Sequence, residues 1–154
     1  MKKGIFLAGI MIFCILMLLA AITSSYAEDA HVLIANQGSE FKNAVVEKLR
    51  EEMKGSHVSF TVQKLNILSR ASPDEWDVVV ILHAVKMGSV NKNVERFLNR
   101  VNDPSNVIVC TTCGQEDVIP GKYGIDSITA ASQEYEIEAA ATRIAEQLRG
   151  ILDI

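Results

Sequence analysis

The apolar positions of this chain follow two alternating rhythms from Ala30 onward. Short runs of β-branched and aliphatic residues are separated by segments in which apolar side chains recur every three or four positions, the layout of a parallel sheet built from crossover units. The first run, 31–35 (HVLIA), is apolar without alternation, as a central strand covered on both faces must be. After the turn Asn36-Gln37-Gly38-Ser39, the residues Phe41, Ala44, Val45, Leu49 and Met53 mark one helical face, with Lys42, Glu47, Lys48, Arg50 and Glu51 between them. Ser39 suits the N-cap and Gly55 the position after the helix ends.

The run 57–62 (HVSFTV) alternates polar and apolar residues, which predicts a half-exposed edge strand. Residues 67–75 are too short for a full helix, and Ser72-Pro73 can begin a single turn because proline lacks an amide that the first helical position leaves unpaired anyway. Residues 77–82 (DVVVIL) form a second central strand. A helix is expected from Ser89, with the stripe Val90, Val94, Phe97, Leu98 and Val101, ending at Asp103-Pro104. A fourth strand covers 106–110. The crossover from Thr111 to Gly124 has no helical period and looks pared down, although such connections usually carry a helix. A short fifth strand near 125–129 precedes a closing helix with Ile137, Ala141, Ile144, Ala145, Leu148 and Ile151 on one face and Thr129 or Ser132 as its cap. Helices after the first, third and fifth strands predict an α/β fold: a doubly wound, five-stranded parallel sheet in the order 2-1-3-4-5.

The first 27 residues belong to a different pattern. Lys2 and Lys3 precede an uncharged apolar run, 5–22, and Ser25-Tyr26-Ala27 provides a small-x-small site before acidic Glu28-Asp29. This reads as a signal peptide cut after Ala27, leaving a single domain, 28–154, exported to the periplasm or beyond. The rival reading is an uncleaved anchor, since the run is at the lower limit for spanning a bilayer core of about 30 Å. Cys14 reads as one more small apolar side chain within it. Cleavage removes two of the fifteen basic residues and none of the nineteen acids, so the domain carries a net charge of −6. An acidic domain without a basic stripe is not built to neutralise phosphates, which excludes a nucleic-acid partner. Two remaining cysteines, Cys110 and Cys113, make no disulfide framework.

Taken together, HVLIANQGSEFKNAVVEKLREEM, DEWDVVVILHAVKMGSVNKNVERFLNRV and NVIVCTTCGQED resemble the flavodoxin family across residues 31–152. The resemblance implies a flavodoxin-like order of elements, and flavin mononucleotide (FMN) as the cofactor for electron transfer. It also implies that Asn36, Gln37, Gly38 and Ser39 form the phosphate loop, while His83 and Thr111, Thr112, Cys113 and Gly114 border the flavin. Cys113-Gly114 followed by Asp117 is the closest local match. The chain departs from the family elsewhere: the hydroxyl run of the first loop is reduced to Ser39, Glu40 follows at once, and the loop after the third strand, His83-Ala84-Val85-Lys86-Met87, contains no aromatic ring. The aromatic residue expected after Asp117 is absent until Tyr123.

The residues read independently lead to the same loops, because an open parallel sheet of this order binds ligands at the carboxyl ends of its strands where the winding reverses. The first loop opens a helix, and helix amides favour anions, yet the same residues also suit an ordinary capped helix start. His83 reads as a ligand contact, a pH-sensitive group, or a strand-end histidine bonded to backbone; the last is favoured. Cys110-Thr111-Thr112-Cys113 spells a CxxC, which needs a turn at Thr111-Thr112 before the two sulfurs can meet. No metal site is expected, for none of the three histidines lies at ligand spacing from the cysteines.

Three functions follow as expectations: an exported flavodoxin-like domain with a degenerate flavin site, acting as a binding or accessory module in the cell envelope with an envelope protein or a small molecule as partner; an FMN-dependent electron carrier or oxidoreductase; or a CxxC thiol redox module.

Overall fold

The computed structural model describes residues 29–85, 89–112, 127–130 and 132–154, without the side chains of Ser127 and Thr129. Residues 1–28 with Cys14, residues 86–88, residues 113–126 with Cys113, Gly114 and Tyr123, and residue 131 lie outside the described residues. Strands β1 (Ala30–Asn36), β2 (Val58–Lys64), β3 (Val78–Ala84) and β4 (Val107–Thr112) alternate with helices α1 (Glu40–Glu52) and α2 (Lys92–Leu98), and α3 (Ile137–Leu152) closes the chain. All pairings are parallel, in the order β2-β1-β3-β4, as the apolar runs predict. The segment Ser127–Ala130 runs parallel to the outer side of β4, with Val109 opposite Ser127.

The sheet separates two apolar layers because strand side chains alternate between faces. Val32 and Ile34 of β1, with Val78, Val80 and Leu82 of β3, face α1 and α3, whose contributions include Val45, Leu49, Ile144 and Leu148. Leu33, Val79, Ile81 and Val109 face the other way, under Val94, Phe97 and Leu98 of α2 and Leu65 and Leu68 of the β2–β3 connection. Both β1 and β3 are therefore buried on both faces, which is why their sequences carry no alternation. Strand β2 is the half-exposed edge, with Val58, Phe60 and Val62 leaning on the α1 layer.

Helix starts and ends follow local chemistry. The Ser39 hydroxyl accepts from the Lys42 amide at the head of α1, and the turn after it passes through Gly55 at φ +87°, a left-handed conformation that costs glycine little. Helix α2 is shorter than its pattern predicts at both ends. Ser89 lies in an isolated bridge, and the carboxamide of Asn91 caps the helix by accepting from the Asn93 amide. After Leu98 the bonds tighten to three-residue spacing, from the Arg100 amide to Phe97 and from the Val101 amide to Leu98, the usual way that a last turn satisfies its carbonyls. Asp103 caps the separate turn Pro104–Asn106 instead of ending the helix. Residues 67–75 contain no full helix; the short turns Leu65–Ser69 and Pro73–Glu75 cover the sheet there, the latter with proline at its start. The expected caps Thr129 and Ser132 do not start α3. A tight turn at Glu134–Glu136 feeds it, and Glu136 occupies the cap position without a side-chain bond.

Candidate functional site

The carboxyl ends of β1, β3 and β4 bring the seven described candidates, Asn36, Gln37, Gly38, Ser39, His83, Thr111 and Thr112, to one sheet edge. Asn36 ends β1 and is buried, so its carboxamide must be satisfied within the fold. Its Oδ1 accepts from the Gly38 amide at 2.8 Å and its Nδ2 donates to Asn43 Oδ1 at 2.9 Å. The first of these bonds is an Asx turn, which bends the chain into the φ +78° conformation of Gly38 and delivers Ser39 to the helix start. Asn36→Ala removes both of these part-buried bonds and leaves the Gly38 amide and the Asn43 carboxamide without their partner. We expect it to lower the unfolding free energy by about 1–2 kcal/mol, read by urea denaturation; a cost near zero refutes the assigned role.

Gln37 spans the crevice between β1 and β3. Its backbone amide donates to the Leu82 carbonyl at 3.0 Å, and its side-chain Oε1 accepts from the Ala84 amide at 2.5 Å. The edge is thus held by a strand bond and a side-chain bond from one residue.

On the β4 side, Thr111 and Thr112 are buried residues of the strand itself rather than of the loop after it. The two alternate in direction. Thr111 Oγ1 lies 3.1 Å from His83 Nε2, while Thr112 Oγ1 donates to the His83 carbonyl at 3.3 Å. Thr112 Oγ1 also accepts from Lys42 Nζ at 2.9 Å, and Lys42 Nζ reaches Ser39 Oγ at 3.4 Å. Hence the ring of His83 is held through Nε2 by the Thr111 side chain, and the Ala84 backbone is the other polar group that acts on it. Burial pushes the His83 pKa down to about 4; the charge of Lys42 adds to the fall, and the Ala84 backbone opposes it. His83 is therefore a neutral imidazole at ordinary pH.

Lys42 is the residue that sequence reasoning placed on the solvated face and the structure buries at 4% exposure. A signal for it exists. Lys42 precedes Val45 and Val46 by three and four residues, so the same periodicity that buries those valines carries the lysine to the edge of the packed face. Its long stem can lie along apolar surface while the ammonium reaches polar partners.

The CxxC reading is not favoured by this geometry. Thr111 and Thr112 continue β4 in extended form, so the turn that a bridge from Cys110 needs at these two residues is not made; Cys113 itself lies outside the described residues. Cys110 is a buried free thiol whose pKa is raised to about 11 by desolvation, against the opposing charges of Lys42 and Arg143. Such a thiol is almost wholly protonated at neutral pH and a poor nucleophile. Among the described residues no cluster of histidine, cysteine and carboxylate side chains is arranged to hold a metal ion.

A doubly wound parallel sheet with its polar groups gathered at the β1–β3 reversal defines the class of open α/β domains that place ligands at a switch point. Comparison with solved structures narrows the class: the chain has a flavodoxin-like fold. It matches a flavodoxin from the domain Archaea with a TM-score of 0.52 at 10% identity, over 79% of this chain and 98% of the other. The oxidised Flavodoxin 2 of Bacillus cereus gives 0.52 at 11% identity, over 79% and 99% of the two chains. The flavodiiron protein of Giardia intestinalis gives 0.53 at 6% identity over 82% of this chain, which corresponds to 37% of that larger protein. No family model and no curated protein matches the chain.

Proposed function

We propose that this chain is an exported flavodoxin-like domain with a degenerate flavin site, a doubly wound sheet in the order 2-1-3-4-5 with Ser127–Ala130 as its fifth strand, serving as a binding or accessory module of the cell envelope. The observation that carries this reading is the bond from the Ala84 amide to Gln37 Oε1. It commits to the protein itself an amide at the reversal of the sheet, where the fold places ligands.

The other loop groups support the same reading because they do not fit FMN in this arrangement. The Gly38 amide is already bonded to Asn36, which removes one loop donor from a phosphate. Exposed Glu40 stands in the first turn of α1 and opposes a phosphate dianion there. Neither 83–88 nor 111–117 contains an aromatic residue to enclose an isoalloxazine. Export rests on the charge and apolar pattern of residues 1–27.

The test is the visible spectrum of the protein purified after expression with its own first 27 residues. A colourless protein whose amino terminus is Glu28 is expected. Flavin absorption that leaves with the cofactor on denaturation refutes the degenerate site and establishes the second reading, an FMN-dependent electron carrier, which the likeness to flavodoxins favours.

A further inference from the structure

We infer that Gln37 is a self-inhibitory plug: its side-chain carbonyl holds the place on the Ala84 amide that the ring amide carbonyl of a flat heteroaromatic ligand would take. This inference rests on the reading of the site given above and assigns the residue responsible for it. The argument begins with the ladder. Strands β1 and β3 run in register from Val32 opposite Val78 to Asn36 opposite Leu82. One residue further on, the Gln37 amide still donates to the Leu82 carbonyl. In a parallel ladder the backbone carbonyl of that same residue would then accept from the Ala84 amide. Here the Gln37 side chain supplies the acceptor instead, while the backbone leaves the sheet through the left-handed Gly38.

The substitute is a weaker fixture than the strand it imitates. Gln37 is only partly buried, and its carboxamide nitrogen makes no hydrogen bond among the described residues. Three torsions are held by one neutral bond, whereas the neighbouring Asn36 is buried and bonded through both ends of its carboxamide. A carbonyl-bearing ring can therefore exchange for the Gln37 oxygen at the Ala84 amide with the hydrogen-bond count unchanged. The plug then lowers the affinity of the crevice by the fraction of time for which it is closed.

The probe is riboflavin, which carries the ring carbonyls without a phosphate, with FMN as a second arm to report any contribution of the α1 terminus. Wild-type protein, Gln37→Ala and Gln37→Asn, whose side chain is one methylene too short for the bond, are titrated by quenching of flavin fluorescence. Hydrogen exchange of the Ala84 amide is followed in parallel. We expect riboflavin to bind the alanine variant about tenfold more tightly than wild type, the scale of one removed neutral hydrogen bond. Ala84 exchange should accelerate in the variant and slow again when riboflavin is added. Should the alanine variant fail to fold, the asparagine variant carries the same expectation. Folded variants that bind no better than wild type, or an Ala84 amide that riboflavin does not protect, overturn the plug and leave Gln37 as the end of the ladder. That failure is distinct from failure of the degenerate-site reading, which occurs only if wild-type protein itself purifies with flavin.

Discussion

Phe97→Ala is expected to lower the unfolding free energy by about 3–5 kcal/mol, the range for truncating a fully buried aromatic side chain to a cavity. Phe97 is 0% exposed and packs with Leu33, Leu68, Val79, Ile81 and Val94 in the layer beneath α2. Two features of the fold place the cost at the upper part of that range. Helix α2 has seven residues, far below the length at which a helix persists in water, so its existence depends on the packing of Val94, Phe97 and Leu98. Among the described residues the face it covers has no second full helix; the short turn Leu65–Ser69 shares it, and Arg100 joins the two by donating to the carbonyls of Leu68 and Ala71. Loss of the ring thus loosens both covers at once. The check is urea denaturation of the variant beside Val101→Ala, a partly buried position at the rim of the same layer, for which a far smaller loss is expected. A loss below about 1 kcal/mol for Phe97→Ala would show that α2 is held by something other than its ring.

The same contrast between the layers explains which parts of the fold were legible in the sequence. Strands β1, β3 and β4 sit between two layers, so each residue answers to one pressure, exclusion of water, and the apolar runs at 31–35, 77–82 and 106–110 report it directly. Boundaries moved by one or two residues because polar strand ends look like loops. Thr111 and Thr112 extend β4, and their hydroxyls find buried partners that no local pattern announces. The start of α2 was misplaced for a related reason. Val90 and Val94 have helical spacing, but the capping bond at Asn91 decides where the backbone enters the helix.

Candidate-site chemistry was legible as location and not as bonding. Element order alone places Asn36 to Ser39, His83 and Thr111 together, because the reversal of winding fixes which loops converge. The bond between Gln37 and Ala84 joins residues 47 positions apart, and the one between Lys42 and Thr112 joins residues 70 apart. Each depends on strand register to within one residue, which periodicity does not supply.

Acidification is expected to destabilise the protein through His83 in a window that the wild-type sequence alone would not indicate. The unfolded histidine has its ordinary pKa of 6.5, and burial lowers the folded value to about 4. Above the upper value the ring is neutral in both states and contributes no pH dependence. As pH falls from 6.5 toward 4, the unfolded chain takes up a proton that the folded protein refuses, so stability declines by up to about 1.4 kcal/mol per pH unit, or about 3 kcal/mol across the window. Below about pH 4 this group adds no further loss. The refusal has a structural cause: a protonated ring would be a second cation near Lys42, enclosed at 0% exposure and bonded at Nε2 only to the Thr111 hydroxyl. His83→Gln keeps a neutral polar group able to reach Thr111 and removes the titration. Asp103, whose carboxylate is held below its usual range by the Ser105 amide, loses its contribution as pH falls through that lowered pKa, in wild type and variant alike, so it cancels in the comparison. Urea denaturation at pH 7 and pH 4.5 should therefore show wild type losing about 2–3 kcal/mol more than the glutamine variant. Equal losses in the two proteins would mean that the buried imidazole accepts its proton in place, and that the polar groups around it rearrange to admit the charge.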